Sequence, residues 1–509
     1  MNLTLPLHRA LQQNADAVMT ICGDQVRTTR EVADRVARLA AALVDDGVRA
    51  GDPVALLSLN SDVYHEFFYA TWWCGAAALP INTRWALDEI VYALNDSEAE
   101  VLILDAEFAQ YGPELRETCP ALRTVIFHGE GVIPRAMLDY EHLIAASEPM
   151  DDVRQGGDSL ALLLYTGGTT GRPKGVMISH RGMFTSLIGT QLVNRAAEPG
   201  GVMLHTAPLF HIAAVLSWHS QNFIGGSHVF QSRFSPGGFL EAVQTHRVTT
   251  CALVPAMMQM ICDHPSIADY DVSSLRRITY GGSASSDGLR GRAVRAFPTA
   301  GFGQGYGMTE TGVLTILGPD ESAEQRATGR AVAHVELAIH DVDGTPLPVG
   351  EIGEVVTRGE HVMMGYWKLP EVTAETLRGG WMHTGDLGYL DENGYLYVVD
   401  RLKDMIISGG ENVYSAEVEN AIATHPAVSS CAVIGLPDDR WGESVNAVIV
   451  CKPGESVTAE QLRAHVRERL AGYKVPRDVR FVTTLPTTAT GKILKRELRA
   501  EFASAPADL

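Results

Sequence analysis

The apolar positions in the first third of the chain switch period repeatedly. Val32, Val36, Leu39 and Leu43 recur at helical spacing after Thr28-Thr29-Arg30-Glu31, a helix-start signature, and Gly47 ends that run. Val54–Leu59, Val101–Asp105 and Thr124–Phe127 are short continuous apolar runs instead, the pattern of strands buried on both faces. Leu160–Tyr165, Thr249–Val254 and Arg277–Tyr280 continue the series. This β-α-β-α order predicts a largely parallel, layered α/β architecture. From about Val335 strands and tight turns take over. Asp343-Gly344 and Asn393-Gly394 sit between alternating segments as hairpin turns, which predicts a small antiparallel β unit closing a large domain over residues 1–400. After Asp400 the pattern reads helix (Ala416–Ala423), strand (Val428–Ile434), strand (Val445–Val450), helix (Ala459–Leu470), strand and helix (Ile493–Phe502). That is a small α+β domain over residues 401–509. No fixed-period repeat or low-complexity tract interrupts it.

Composition agrees with this plan and narrows the partners. A chain of 509 residues is expected to fold as two or more packed units, and 46% apolar with 20% charged residues is the balance of a globular protein with a sizeable core. The formal charge of −20 argues against a nucleic-acid partner, which needs a concentrated basic surface. It does not argue against a small anionic ligand, which backbone N–H groups and a few placed cations can hold. The seven cysteines are scattered with no C-x-x-C pair, the usage of reduced thiols in a cytosol. Leu3–Val18 carries His8, Arg9 and Asp16 and lacks the uninterrupted apolar core of a signal peptide. No stretch approaches the roughly 18 consecutive apolar residues of a membrane span. A cytoplasmic location is expected, with peripheral membrane contact left open.

The segment Leu160–Val176 carries the first chemistry. A strand runs into a loop holding Gly167, Gly168 and Gly171, the hydroxyls of Thr166, Thr169 and Thr170, and Lys174. Glycines let several backbone N–H groups point at one anion, hydroxyls add donors, and the lysine adds a point charge. A flexible surface turn is the bland alternative, but three threonines among glycines straight after a buried strand is not ordinary turn composition. A P-loop is ruled out, because Gly171 is followed by Arg172-Pro173, and Gly491-Lys492 is followed by isoleucine. The glycine-dense segment Gly301–Gly307 never completes a dinucleotide fingerprint.

At this loop the chain resembles the adenylate-forming superfamily of acyl- and aryl-CoA synthetases, luciferases and peptide-synthetase adenylation domains. The family pattern Y-T-S-G-T-T-G-x-P-K-G is met except that Gly168 replaces serine. Further matches follow in the family's order over nearly the whole chain: Pro208-Leu209-Phe210-His211, Gly305-Tyr306-Gly307-Met308-Thr309-Glu310, Thr384-Gly385-Asp386, Asp400 to Asp404, Ser408 to Asn412, and Thr490-Gly491-Lys492.

The resemblance implies a set of assignments. Glu310, beside what reads as a glycine-dense turn, and Thr166 would be Mg²⁺ ligands near the triphosphate. Tyr306 would pack on the adenine, with Gly281, Gly282, Ser283, Gly305, Gly307 and Thr309 around the nucleotide and acyl group. Asp386 would accept the ribose hydroxyls, with Arg401 as a second nucleotide contact. Lys492 would be the cation that stabilises charge as the carboxylate attacks the α-phosphate. Lys403 falls at the family's hinge, about which the mobile C-terminal domain rotates to bring in Ser408–Asn412. Ser408, Gly409 and Gly410 would then line a thiol tunnel, while Trp441, Tyr473, Lys474 and Arg477 would receive the nucleotide end of coenzyme A. An ordinary aromatic and basic surface is the alternative for that last group. His211 matches a position that gates the acyl pocket; His205 and His219 receive no assignment. Gly156 to Leu160 mimics a carrier-protein serine site but has no carrier domain around it, and reads as a turn opening the strand.

The leading expectation is an ATP-dependent acyl-CoA synthetase with ATP, Mg²⁺ and coenzyme A. Ala213, Ala214, Gly281, Gly282 and Gly305 point to a roomy apolar pocket, hence a medium- or long-chain fatty acid or a bulky aryl or alicyclic acid. The competing expectation is a free-standing adenylating enzyme that loads an amino acid or aryl acid onto a carrier protein. The amino-acid version is disfavoured because no acidic residue lies between His205 and Gln221. A non-catalytic ATP-binding protein predicts loss of Lys492 or Glu310, and both are present.

Overall fold

Thr28 caps the helix Thr29–Asp45 as its sequence predicts. Its hydroxyl accepts from Glu31 N, and the Glu31 carboxylate accepts from Thr28 N at 2.7 Å, so two otherwise orphaned donors are satisfied. The structure is a computed structural model that describes residues 1–166, 172–283, 285, 287–321, 327–438, 440–487 and 493–503. The chain divides into two compact units, Met1–Leu337 with Thr357–Met382, and Ala338–Val356 with His383–Leu509.

The first unit holds two large sheets. In one, Val18–Cys22, Gly226–Phe230, Gly201–His205, Thr250–Leu253, Arg277–Gly281 and Gly301–Met308 lie side by side in parallel, with Gln25–Thr28 and Gly312–Leu317 antiparallel at either side. In the other, Ala77–Pro80, Pro53–Leu57, Val101–Asp105 and Thr124–His128 are parallel, and Leu160–Thr166 joins them beside Ala77–Pro80. The continuous apolar runs are thus interior strands of parallel sheets, with Val54, Leu102 and Ile103 fully buried.

Two features of this unit escape the sequence pattern. Asp62–Trp73 is a helix in which every residue is buried. Buried all round, it shows no amphipathic period from which to predict it. Its Glu66 is held by Arg35 Nε at 2.6 Å and the Tyr140 hydroxyl at 2.7 Å, as a buried charge requires. The second feature corrects an expectation: Gly301–Met308 is a strand, not a turn. Two of its glycines answer to crowding, since a Cβ on Gly303 would sit 2.1 Å from Asn194 Oδ1 and one on Gly307 would sit 1.9 Å from Gly312 O.

A chain of buried histidines runs between the helices and the first sheet. Trp218 Nε1 donates to His65 Nδ1 at 3.1 Å, His205 Nε2 meets His228 Nδ1 at 2.9 Å, and His228 Nε2 meets Asn222 Oδ1 at 3.1 Å.

The second unit contains the antiparallel hairpin Met382–Leu390 with Tyr395–Arg401, turning at Asn393-Gly394 as predicted. It continues with a sheet of Ile406–Ser408, Glu411–Val413, Gly442–Cys451, Val428–Asp438 and Asp478–Phe481, packed on the helices Ser415–Ala423, Ala459–Arg467 and Lys495–Ala503. Both units mix helix and sheet, so the α/β class with a small α+β end stands. Among the described residues no helix is long and apolar enough to cross a membrane.

Candidate active site

The phosphate-loop segment is a hairpin. Leu160–Thr166 pairs antiparallel with Lys174–Ser179, so Thr166 and Lys174 are the last cross-strand partners at the base of the loop. Gly167, Gly168, Thr169, Thr170 and Gly171 lie outside the described residues. The base is anchored to Asp96: the Tyr165 hydroxyl donates to Asp96 Oδ2 at 2.6 Å, while Trp367 Nε1 and Lys368 Nζ donate to the Asp96 carbonyl at 3.1 and 2.9 Å. Burial, then the Asp96 carboxylate, pushes the Tyr165 phenol up, which keeps it a donor.

Glu310 is buried at 7% exposure, an unusual place for a carboxylate without a task or a partner. Its partner is Tyr366, whose hydroxyl donates to Glu310 Oε1 at 2.8 Å. The Lys174 ammonium lies over the same tyrosine ring, 4.4 Å from its centroid. The fold therefore brings Lys174 and Glu310 to opposite handles of one side chain. Sequence reading found both charges and missed Tyr366 and Asp96, because neither sits in a loop with the composition of a binding motif.

The small residues divide by cause. Gly281 pairs with Gly305 across adjacent parallel strands, and a Cβ on Gly281 would lie 2.4 Å from Gly305 O. Its size is dictated by backbone approach. Gly305 has open space beside it and Gly282, at φ 80°, has only the Val254 side chain at 3.9 Å, so these two leave room for a ligand. Tyr306 opposes Thr315 at an irregularity between Tyr306 and Gly307, Thr309 lies in the turn after Met308, and Ser283 is exposed on the segment after Gly281. His211 starts the helix Ile212–Ile224, its ring 4.4 Å from that of Phe210. Buried Asn60 fixes the approach to it, accepting from Leu209 N at 3.0 Å and donating to Ala207 O at 2.9 Å.

In the second unit, Asp386 is buried at 3% exposure and pairs with Arg401 Nε at 2.6 Å across the hairpin. Gly385, at φ 69°, donates its N–H to Glu354 Oε1 at 3.0 Å, and His383 Nδ1 meets the other oxygen at 2.8 Å, so Glu354 shapes the Thr384-Gly385-Asp386 bend. Lys403 is exposed just beyond. Lys492 lies outside the described residues.

The residues expected at coenzyme A fall into two groups. Ile406–Ser408 and Glu411–Val413 form a tight hairpin turning at Gly409 and Gly410, with φ 63° and 84°. Ser408 is buried, and Gly409 abuts Trp441, whose Cε3 would lie 2.8 Å from a Cβ there. Arg477 stacks 4.3 Å from the Trp441 centroid and Arg440, which the sequence reading passed over, at 4.8 Å. Lys474 is instead paired with Glu417 at 2.6 Å and borders Tyr473, with its ammonium 5.7 Å from that ring.

The chain matches the model of the AMP-binding enzyme over residues 7–367 and that of the AMP-binding enzyme C-terminal domain over residues 417–492. The chain belongs to the AMP-binding enzyme family. It is therefore a member of the adenylate-forming superfamily and an AMP-forming ligase. Family relatives span its whole length. It is 42% identical over 502 residues to a feruloyl-CoA synthase of Amycolatopsis sp, covering 98% of each chain. It is 36% identical to a fatty acid–[acyl-carrier-protein] ligase of Streptomyces coeruleorubidus, over 98% of this chain and 96% of that one. The crystal structure of ATP-bound MatB from Rhodopseudomonas palustris superposes with a TM-score of 0.90 at 29% identity, covering 99% of both chains.

Proposed function

We propose that this AMP-binding enzyme is an acyl-CoA synthetase. A carboxylate attacks the α-phosphate of ATP to give acyl-AMP and pyrophosphate, and the thiol of coenzyme A then displaces AMP to give the thioester. The observation that carries the reading is the buried Glu310 carboxylate and the Lys174 ammonium, held apart on one tyrosine at the base of the phosphate loop.

In this reading Lys174 and the loop amides hold the β- and γ-phosphates. Glu310 and Thr166 are hard oxygen donors of the kind Mg²⁺ prefers, and one or two protein ligands suffice for it. When bound, that ion draws charge from the phosphates. Tyr306 packs on the adenine, Asp386 orients the ribose, Arg401 fixes Asp386, and Lys492 stabilises the charge that gathers at the α-phosphate. Residues 401–509 serve as the mobile domain, with Lys403 as its hinge.

For the second half-reaction the Gly409–Gly410 turn leaves space for a thin pantetheine arm. Trp441 with Arg440 and Arg477 offers an aromatic face and two guanidinium groups for a nucleotide 3′-phosphate and diphosphate. This grouping favours coenzyme A over a carrier protein as acceptor. Trp441→Ala is expected to raise KM for coenzyme A about tenfold, the scale of a cation–π contact. Acid-dependent pyrophosphate release without coenzyme A should stay unchanged. An unaltered KM would remove Trp441 from the acceptor site.

The substrate class proposed is a bulky aryl acid or a medium- to long-chain fatty acid. Open space at Gly282 and Gly305 supports it, as does similarity to an enzyme named for feruloyl-CoA. The deciding experiment is pyrophosphate release across a panel of aryl, alicyclic and fatty acids, with coenzyme A, with a phosphopantetheinylated carrier protein, and with neither. Thioester on coenzyme A supports the proposal. Acylation of the carrier alone would establish the competing acceptor, and no release with any acid would overturn the synthetase reading.

A further inference from the structure

Lys174 and Glu310 carry opposite charges, stand near one side chain, and yet no ion pair joins them among the described residues. Both meet Tyr366 instead. Its hydroxyl is bonded to Glu310 Oε1 and its ring face carries the lysine, so each charge is satisfied by a different part of a neutral group. The tyrosine is itself fixed from several directions. Gly365–Tyr366 pairs antiparallel with the strand that Lys174 begins, with Tyr366 opposite Val176. Tyr366 N donates to Thr373 Oγ1 at 2.9 Å, and Met363 N donates to the Glu310 carbonyl at 2.8 Å. Tyr366 is 5% exposed. The phenol is the donor of this bond, because an ionised carboxylate can only accept. The Glu310 Oε2 atom has no protein hydrogen-bond partner among the described residues.

A direct Lys174–Glu310 pair would neutralise the two groups against each other and leave little for a metal–triphosphate ligand. We propose that Tyr366 is a positioning residue that orients the Glu310 carboxylate towards a divalent cation and keeps Lys174 from pairing with it. The inference rests on the reading of Glu310 as a metal ligand and Lys174 as a phosphate contact. Outer partners that orient metal-binding carboxylates commonly govern metal affinity by about 10- to 100-fold.

The two handles can be separated. Tyr366→Phe keeps the ring under Lys174 and removes the hydroxyl, whereas Tyr366→Leu removes both. Full-length protein is titrated with Mn²⁺ in the presence of a non-hydrolysable ATP analogue, with bound ion counted by electron paramagnetic resonance. Affinity for the analogue alone is measured in chelator by calorimetry. Tyr366→Phe is expected to weaken Mn²⁺ about tenfold while leaving metal-free nucleotide affinity at its wild-type value. Tyr366→Leu is expected to weaken both ligands, because Lys174 is then free to pair with Glu310. Glu310→Gln is the control for the underlying reading. If Glu310→Gln leaves Mn²⁺ affinity unchanged, the metal assignment falls and this inference with it. If Glu310→Gln weakens Mn²⁺ and Tyr366→Phe does not, the positioning inference alone is overturned. Equal loss of metal-free nucleotide affinity in the Phe and Leu variants would also overturn it, since a general packing defect would then account for both.

Discussion

Replacing Lys492 with alanine is expected to slow adenylate formation by about 10²- to 10³-fold while sparing conversion of supplied acyl-AMP to the thioester. The reasoning is electrostatic. In the first half-reaction negative charge builds on the α-phosphate as the carboxylate enters and pyrophosphate leaves, and a preoriented ammonium lowers that barrier without reorganising water. In the second half-reaction the nucleophile is a thiol, the leaving group is AMP, and the charge develops at the acyl carbonyl, which Lys492 does not serve in the proposed cycle. Single-turnover assays started from acid and ATP, and separately from synthetic acyl-AMP and coenzyme A, measure the two steps. Equal loss in both would contradict a domain that carries Lys492 away between them. Arginine at the same position should recover little, because the charge returns but the compact geometry of an ammonium does not.

The second large effect is loss of stability in mild acid. Burial holds His205 and His219 down at about 3 and His180 at about 4. His65 and His228 are pushed well below the usual imidazole value by burial, with their neighbouring histidines adding to it. The bonding fixes neutral tautomers: the indole of Trp218 donates to His65 Nδ1, which must then be an acceptor. Likewise, if His228 donates to Asn222 Oδ1 its other nitrogen accepts from His205. Above pH 6.5 both folded and unfolded chains hold these rings neutral, so they do not affect stability. As the pH falls below 6.5 the unfolded chain takes up protons and the folded one does not, so stability declines until the folded values near 3 to 4 are reached. At pH 4.5 the loss is about 2–3 kcal/mol per histidine, and three such groups approach the whole stability of a typical domain. Urea titrations between pH 7.5 and 4.5 should show uptake of about three or more protons on unfolding near pH 5. A flat stability profile across that range would refute the buried neutral cluster. Carboxylates contribute mainly below this window, because their unfolded values lie lower.

The sequence reveals features whose physics is local. The capping box at Thr28, the doubly buried strands and the turn at Asn393-Gly394 depend on neighbours within a few residues, and each appears where the pattern placed it. The order of motifs from Tyr165 to Lys492 is likewise visible in one dimension, and the family assignment follows from it. The helix Asp62–Trp73 is missed because complete burial erases its period. The strand Gly301–Met308 is misread because glycine imposed by close neighbours, as at Gly303 and Gly307, has the same composition as glycine in a turn.

What the sequence determines by itself is therefore the kind of enzyme: which charges and hydroxyls are present, in what order, on what class of scaffold. Tertiary structure decides which of those charges are committed to each other. Lys474 is paired with Glu417, Asp386 with Arg401, and Lys174 is kept off Glu310 by a tyrosine that no motif announces. Ion pairs and hydrogen bonds are decided within about 3 Å, and that distance is set by how elements far apart in the chain pack together.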